Sequence, residues 1–177
     1  LWAGAFLTFL FVRRHGLHRA AISRVLRIAS SSSQRRRLDT VCARHPSLAG
    51  LRGRVFIVEH ATEALRTVGI FRPVVEISSE ILDDLDDRAL LGALLHEAEH
   101  LRTYDPLRYL LGSVCLSLNP LARLLRTELG RWILAREVAC DRAAVQSGAE
   151  PLSLAAAILV AARPNRPARP EPVACLA

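Results

Sequence analysis

One stretch constrains this chain more than any other. Leu90-Leu-Gly-Ala-Leu-Leu-His-Glu-Ala-Glu-His-Leu101 is an apolar, helix-forming run that closes on His96-Glu97-Ala98-Glu99-His100. Acids at Asp83, Asp84, Asp86 and Asp87 suit the unpaired N–H groups of a helix start, and Asp105-Pro106 suits its end. Residues four apart on a helix share a face, so both imidazoles can meet one ion. Glu97 is then offset toward the water such an ion activates, the position of a general base in metal-assisted peptide hydrolysis. The bare five-residue pattern also arises by chance on charged helix faces. Glu99 is expected to face solvent.

Three protein ligands and one open position suit a catalytic zinc, Zn2+. The best third ligand is Glu137 in Arg136-Glu-Val-Ala-Cys-Asp141, on a return helix long enough to come back beside the first. Asp141, four residues on, shares that face and suits a carboxylate that orients a ligating histidine from behind. The competing reading makes Glu137 and Asp141 ion-pair partners of Arg131, Arg136 or Arg142. Cys140 reads as a packed small residue.

The remaining chain divides by charge and apolarity. Residues 1–54 hold eleven arginines against one acid, Asp39, whereas residues 55–150 hold ten arginines against fifteen acids. That is not a uniformly basic nucleic-acid surface, and no base-reading motif is present, so no specific nucleic-acid partner is expected. Leu1–Val12 is apolar and is followed by Arg13-Arg14. It is too short to cross a bilayer, for which about 20 residues are needed, but suits the last half of a spanning helix with its basic side in the cytoplasm. The expected organisation is an apolar segment and basic juxtamembrane region over 1–54, a catalytic core over 55–150, and an apolar segment with a disordered Pro/Arg-rich tail over 151–177.

Within these limits Gly16–Arg27 suits a basic amphipathic helix and Ser30–Arg37 a loop. Strands are expected at Arg54–Val58 and Pro73–Ile77, and helices over Leu107–Leu118, Leu121–Ser147 and Leu152–Ala162, the first a membrane-associated or buried candidate. The fold class is mainly α with a small β-sheet. Val74, Val75, Glu76 and Ile77 precede the motif helix and are the candidate strand for adding a peptide substrate by backbone pairing. The cysteines Cys42, Cys115, Cys140 and Cys175 form no C-x-x-C pair and suggest neither a zinc ribbon nor a disulfide scaffold.

Four separated pieces, spread over about residues 53–148, resemble the BlaR1/MecR1-type membrane zinc metallopeptidases, peptidase family M56. They are Gly69-Ile-Phe-Arg-Pro-Val-Val75, His96 through Leu107, Asn119-Pro120, and Arg136 through Ala144. The resemblance implies a gluzincin-like metallopeptidase core with membrane-associated helices, its catalytic part facing the cytoplasm. It implies zinc on His96, His100 and Glu137, Glu97 as base, and Asp141 behind a histidine. The expected function is a membrane-associated zinc metalloendopeptidase cutting a protein or peptide, such as a regulator, with membrane lipids as further partners. An HtpX/Ste24-type quality-control peptidase shares the ligand arrangement, and a noncatalytic membrane regulatory or scaffolding protein of the same fold is the other alternative.

Overall fold

The computed structural model describes residues 32–58 and 64–163. In chain order these form α1 (Ser32–Arg44), a 3-10 helix (Pro46–Leu51), β1 (Val55–Val58), β2 (Leu65–Val68), β3 (Val74–Ser78), α2 (Ser79–Asp84), α3 (Asp87–Arg102), α4 (Asp105–Leu118), α5 (Ala122–Gln146) and α6 (Pro151–Ala161). The architecture is mainly helical, with one small open sheet in the order β1-β3-β2. β3 runs parallel to β1 and antiparallel to β2.

The acids before the motif serve two helices rather than one. Ser78 caps α2 by accepting from the backbone N–H groups of Glu80 and Ile81, and the chain breaks at Leu85. Asp86 then caps α3, its carboxylate accepting from the Ala89 N–H at 2.7 Å. The sequence pattern predicts β1 and β3 but passes over β2, which is four residues long, half-buried throughout, and interrupted by Arg66 and Thr67. Its turn into β3 requires Gly69: φ is +98°, and a Cβ there would lie 3.0 Å from the Arg72 carbonyl oxygen.

α3 is the central helix and buries Leu90, Leu94 and Leu101 on one side and Ala93 beside them. Burying each such leucine contributes about 1.5–3 kcal/mol. Gly92 lets α6 approach closely, since a Cβ at that position would meet the Leu154 backbone at 3.3 Å. Leu38 and Val41 of α1, Leu48 and Leu51 of the 3-10 helix, and Leu154 and Ala157 of α6 join the same cluster as α3 and the sheet.

Arg35–Arg37, expected in a loop, lie within α1. Arg37 donates to the carbonyl oxygens of Leu82 and Leu85 at the end of α2 and pairs with Asp87. Arg35 donates to the Val55 carbonyl. These side chains tie α1 to its neighbours.

The expected membrane-associated helices need correction. Among the described residues no helix is long and apolar enough to cross a membrane. α4 has 14 residues and carries Asp105 and Arg108, α6 has 11, and the longer α5 carries five arginines and three acids. Leu1–Val12, Gly16–Arg27 and the tail beyond Arg163 lie outside the described residues.

Candidate metal centre

His96 and His100, on successive turns of α3, bring their Nε2 atoms to 3.0 Å from one another. Glu137 of α5 completes the group, its Oε2 lying 3.5 Å from each. Tetrahedral ligands at about 2.0–2.1 Å from a zinc ion are separated by about 3.3 Å. The donor set and its spacing therefore fit such an ion.

Each imidazole is held from behind by a carboxylate. His96 Nδ1 lies 2.8 Å from Asp141 Oδ1, and His100 Nδ1 lies 2.8 Å from Asp105 Oδ2. With both Nδ1 atoms donating, both Nε2 lone pairs face the Glu137 oxygen. Three electron-rich atoms so close repel one another unless a cation or a proton lies between them. The titration directions express this. Burial alone would lower His100, but contacts with Cys140 and Glu137, the Glu97 charge and the Asp105 hydrogen bond hold it up at about 11. His96 is also raised, burial being outweighed by Glu137 and neighbouring carboxylates. The two histidines hold Glu137 well below the usual carboxylate range.

Asp105 is the largest omission from the sequence reading, where it counted only as a helix stop. It is fully buried and is gripped by Arg136, whose Nη2 lies 2.9 Å from Oδ2 and whose Nε lies 3.2 Å from Oδ1. Burial would raise its pKa, but Arg136, His100 and Thr103 together lower it. The geometry depends on Tyr104, which takes the left-handed conformation (φ 54°) between α3 and α4. That conformation costs a non-glycine residue about 1–2 kcal/mol. Here it reverses the chain so that a residue five positions after His100 returns to its ring. Arg136, read as a partner for Glu137 or Asp141, is instead committed to Asp105.

His100, Asp105 and Cys140 form a second group whose ligand atoms lie within 4.8 Å of one another. Cys140 is buried, its Sγ 3.5 Å from both His100 Nδ1 and Arg136 Nη2. The Arg136 guanidinium already supplies positive charge to this group.

Glu97 is buried, and loss of solvent raises its pKa. Thr67 of β2 opposes that shift by donating its hydroxyl to Glu97 Oε2 at 2.6 Å. On the other flank the Tyr109 hydroxyl donates to Glu137 Oε1 at 3.1 Å, while its ring stands edge-on to Trp132. Burial and the Glu137 charge push the phenol upward, so it stays a donor. Neither Thr67 nor Tyr109 has a sequence signature, because each meets the site only through tertiary packing.

Val74, Val75, Glu76 and Ile77 are not an open substrate edge. They belong to β3, the middle strand, paired with β1 on one side and β2 on the other. The strand that reaches the site is β2, and among the described residues its outer edge is unpaired. A cavity of about 520 Å³ lies on another face of α3, lined by Leu95, Ala98, Glu99 and Arg102, and includes none of the three converging ligands.

No protein-family model matches the chain, and no curated protein matches it. The resemblance to the membrane peptidase family is thus unsupported by either comparison. The membrane-associated function and the membrane localisation drawn from it are corrected for the same reason, together with the absence of a spanning helix among the described residues. What stands are two adjoining groups of His, Asp, Glu and Cys side chains able to coordinate a metal ion, an arrangement consistent with a metal-binding enzyme.

Proposed function

We propose that the chain is a zinc-dependent metalloendopeptidase that hydrolyses an extended segment of a protein or peptide. The observation that carries this reading is the convergence of His96 Nε2, His100 Nε2 and Glu137 Oε2 within 3.5 Å, next to the buried carboxyl of Glu97. A metal site alone does not imply catalysis. A buried carboxyl that feels the charges of all three candidate ligands is what supports it.

His96, His100 and Glu137 would hold the ion. When bound, zinc supplies a Lewis acid that polarises a carbonyl and lowers the pKa of a water. Glu97 takes the proton of the attacking water and delivers it to the nitrogen of the departing amine. Its burial suits both halves of that task, since a carboxylate with raised pKa is a better base and remains able to give the proton up. Asp105 and Asp141 keep the Nδ1 protons in place, which leaves Nε2 of each ring as the ligand atom. Tyr109 offers an O–H donor beside Glu137, where negative charge gathers. An extended peptide would add to the outer edge of β2, with backbone hydrogen bonds supplying affinity.

The test combines elemental analysis with cleavage of unfolded protein and of a quenched-fluorescence peptide library. One zinc per chain is expected, with cleavage lost on chelation. Glu97→Gln keeps the zinc and loses about 10²–10⁴-fold in rate, the contribution of a general base. Glu137→Ala loses the zinc. A Glu97→Gln variant that cleaves at the parent rate would overturn the reading.

A further inference from the structure

We infer that Thr67 is a positioning residue for the general base, its hydroxyl fixing the Glu97 carboxyl in the orientation that faces the attacking water; this rests on the peptidase reading above. Thr67 Oγ1 lies 2.6 Å from Glu97 Oε2, much nearer than the 3.4 Å to the Glu97 carbonyl oxygen. Glu97 Oε1 has no hydrogen-bond partner among the described residues. The hydroxyl therefore distinguishes the two oxygens: Oε2 is occupied as an acceptor, and Oε1 is left to take the proton.

The placement of Thr67 makes this more than local tidiness. A glutamate side chain has three rotatable bonds, and its last torsion is broad, so α3 alone does not set the carboxyl plane. Thr67 does not belong to α3. It stands on β2, paired with Val75 of the middle strand, which is itself fully buried. A β-branched side chain on a strand is stiff at χ1, so its hydroxyl is a fixed point. The base is thus oriented by the same strand whose outer edge is offered to the peptide, and peptide and base share one reference frame. Small errors in that frame are costly, because a displacement of about 1 Å at a reacting group reduces rate by about 10²-fold.

The discriminating variant is Thr67→Val, which keeps the shape and the branching and removes only the donor. On the full chain loaded with zinc, kcat is expected to fall by about 10–100-fold with KM and zinc content unchanged. Thr67→Ser, which restores a hydroxyl, is expected to return most of that loss. A merely structural role would instead lower folded yield or zinc content, and Thr67→Ser would bring no specific recovery of kcat. Crystal structures of the parent and Thr67→Val, with and without zinc, read the same claim independently of activity: the Glu97 carboxyl leaves its position in the variant. A Glu97 carboxyl that keeps its place without the hydroxyl, or a variant with full kcat, overturns the inference. If Glu97→Gln is as active as the parent, the peptidase reading falls, and the crystal structures still decide whether Thr67 orients Glu97.

Discussion

His96, Glu97 and His100 stand on the best-packed helix of the molecule, whereas Glu137, Asp141 and Tyr109 stand on a hairpin that buries very little. α3 is surrounded by the sheet, α1, α5 and α6, and its Leu90 and Leu94 are wholly inaccessible. The α4–α5 hairpin leaves Leu111, Leu124 and Leu134 at 54%, 72% and 65% exposure. The only fully buried residue of α4 is a carboxylate, Asp105, and the 25-residue α5 buries only Cys140 and Ala144. The candidate metal centre therefore lies on a seam. Its histidines are placed by apolar packing, and Glu137 is placed by polar contacts: Arg136 to Asp105, Asp141 to His96, and Tyr109 to Glu137.

The largest expected effect follows from the strongest of those contacts. Arg136→Met leaves Asp105 charged, buried and without its main partner, and removing one member of a buried pair costs about 3–5 kcal/mol. Urea unfolding should show that loss, and zinc affinity should fall with it because His100 loses a firmly held carboxylate. A stability loss below about 1 kcal/mol would mean that the hairpin is held by something other than this pair.

The two sides should also answer differently to the same apolar truncation. Leu94→Ala opens a cavity in the α3 core and is expected to cost about 2–5 kcal/mol. Leu124→Ala removes an exposed side chain and should stay within about 0.5 kcal/mol. Equal costs in thermal or urea unfolding would break the contrast and place the outer face of α5 in a packed environment.

The same division explains what the sequence disclosed. His96, Glu97 and His100 are legible because their relation is local: one helix, one face, one turn. Glu137 and Asp141 are legible only as a matched pair on another helix, since nothing in the chain states which helix they meet. Asp105 is hidden because its sequence neighbours, Tyr104 and Pro106, mark a chain break, and only the left-handed backbone at Tyr104 turns that break into a contact with His100. Thr67 is hidden because β2 is short and polar, so neither the strand nor its approach to Glu97 follows from local pattern. The membrane expectation arose partly from leucine-rich stretches whose apolarity is the same whether they face lipid, core or solvent. On the described helices their lengths and charges do not suit a membrane span.

Smaller effects separate the two carboxylates behind the histidines. Loss of such an outer partner lowers metal affinity by about 10–100-fold. Asp105→Asn should fall at the upper end of that range, since Asp105 has no exposed surface, and Asp141→Asn at the lower end, since its side chain is 40% exposed. Competition with a chromogenic zinc chelator measures both. The reverse order would place the dominant support on α5, at the more exposed of the two carboxylates. Chelation of the parent should in turn speed backbone hydrogen exchange in α4 and α5 more than in α3, because the ion bridges the seam.

The smallest effect is a proton count, and it tests whether a proton takes the place of the ion in the metal-free protein. His100 moves from 6.5 to about 11 on folding, so its contribution to stability is fully present below pH 6.5 and is lost as pH rises through 11. Glu137 moves below its ordinary 4.5, so its contribution is present above that value and is lost as pH falls through the depressed one. The pair therefore stabilises the metal-free protein most fully between pH 4.5 and 6.5. A raised His100 keeps a proton at neutral pH, and with the two Nε2 atoms 3.0 Å apart an arriving ion would have to displace it. Titration calorimetry in two buffers of different ionisation enthalpy should report about one proton released per zinc, nearly constant from about pH 7 to 9. Two histidines with an ordinary pKa near 6.5 would together release about half a proton at pH 7, and less as pH rises. A release that shrinks in that way would mean that Glu137 stands away from the histidines until the ion arrives, and that the hairpin closes on the metal instead of waiting for it.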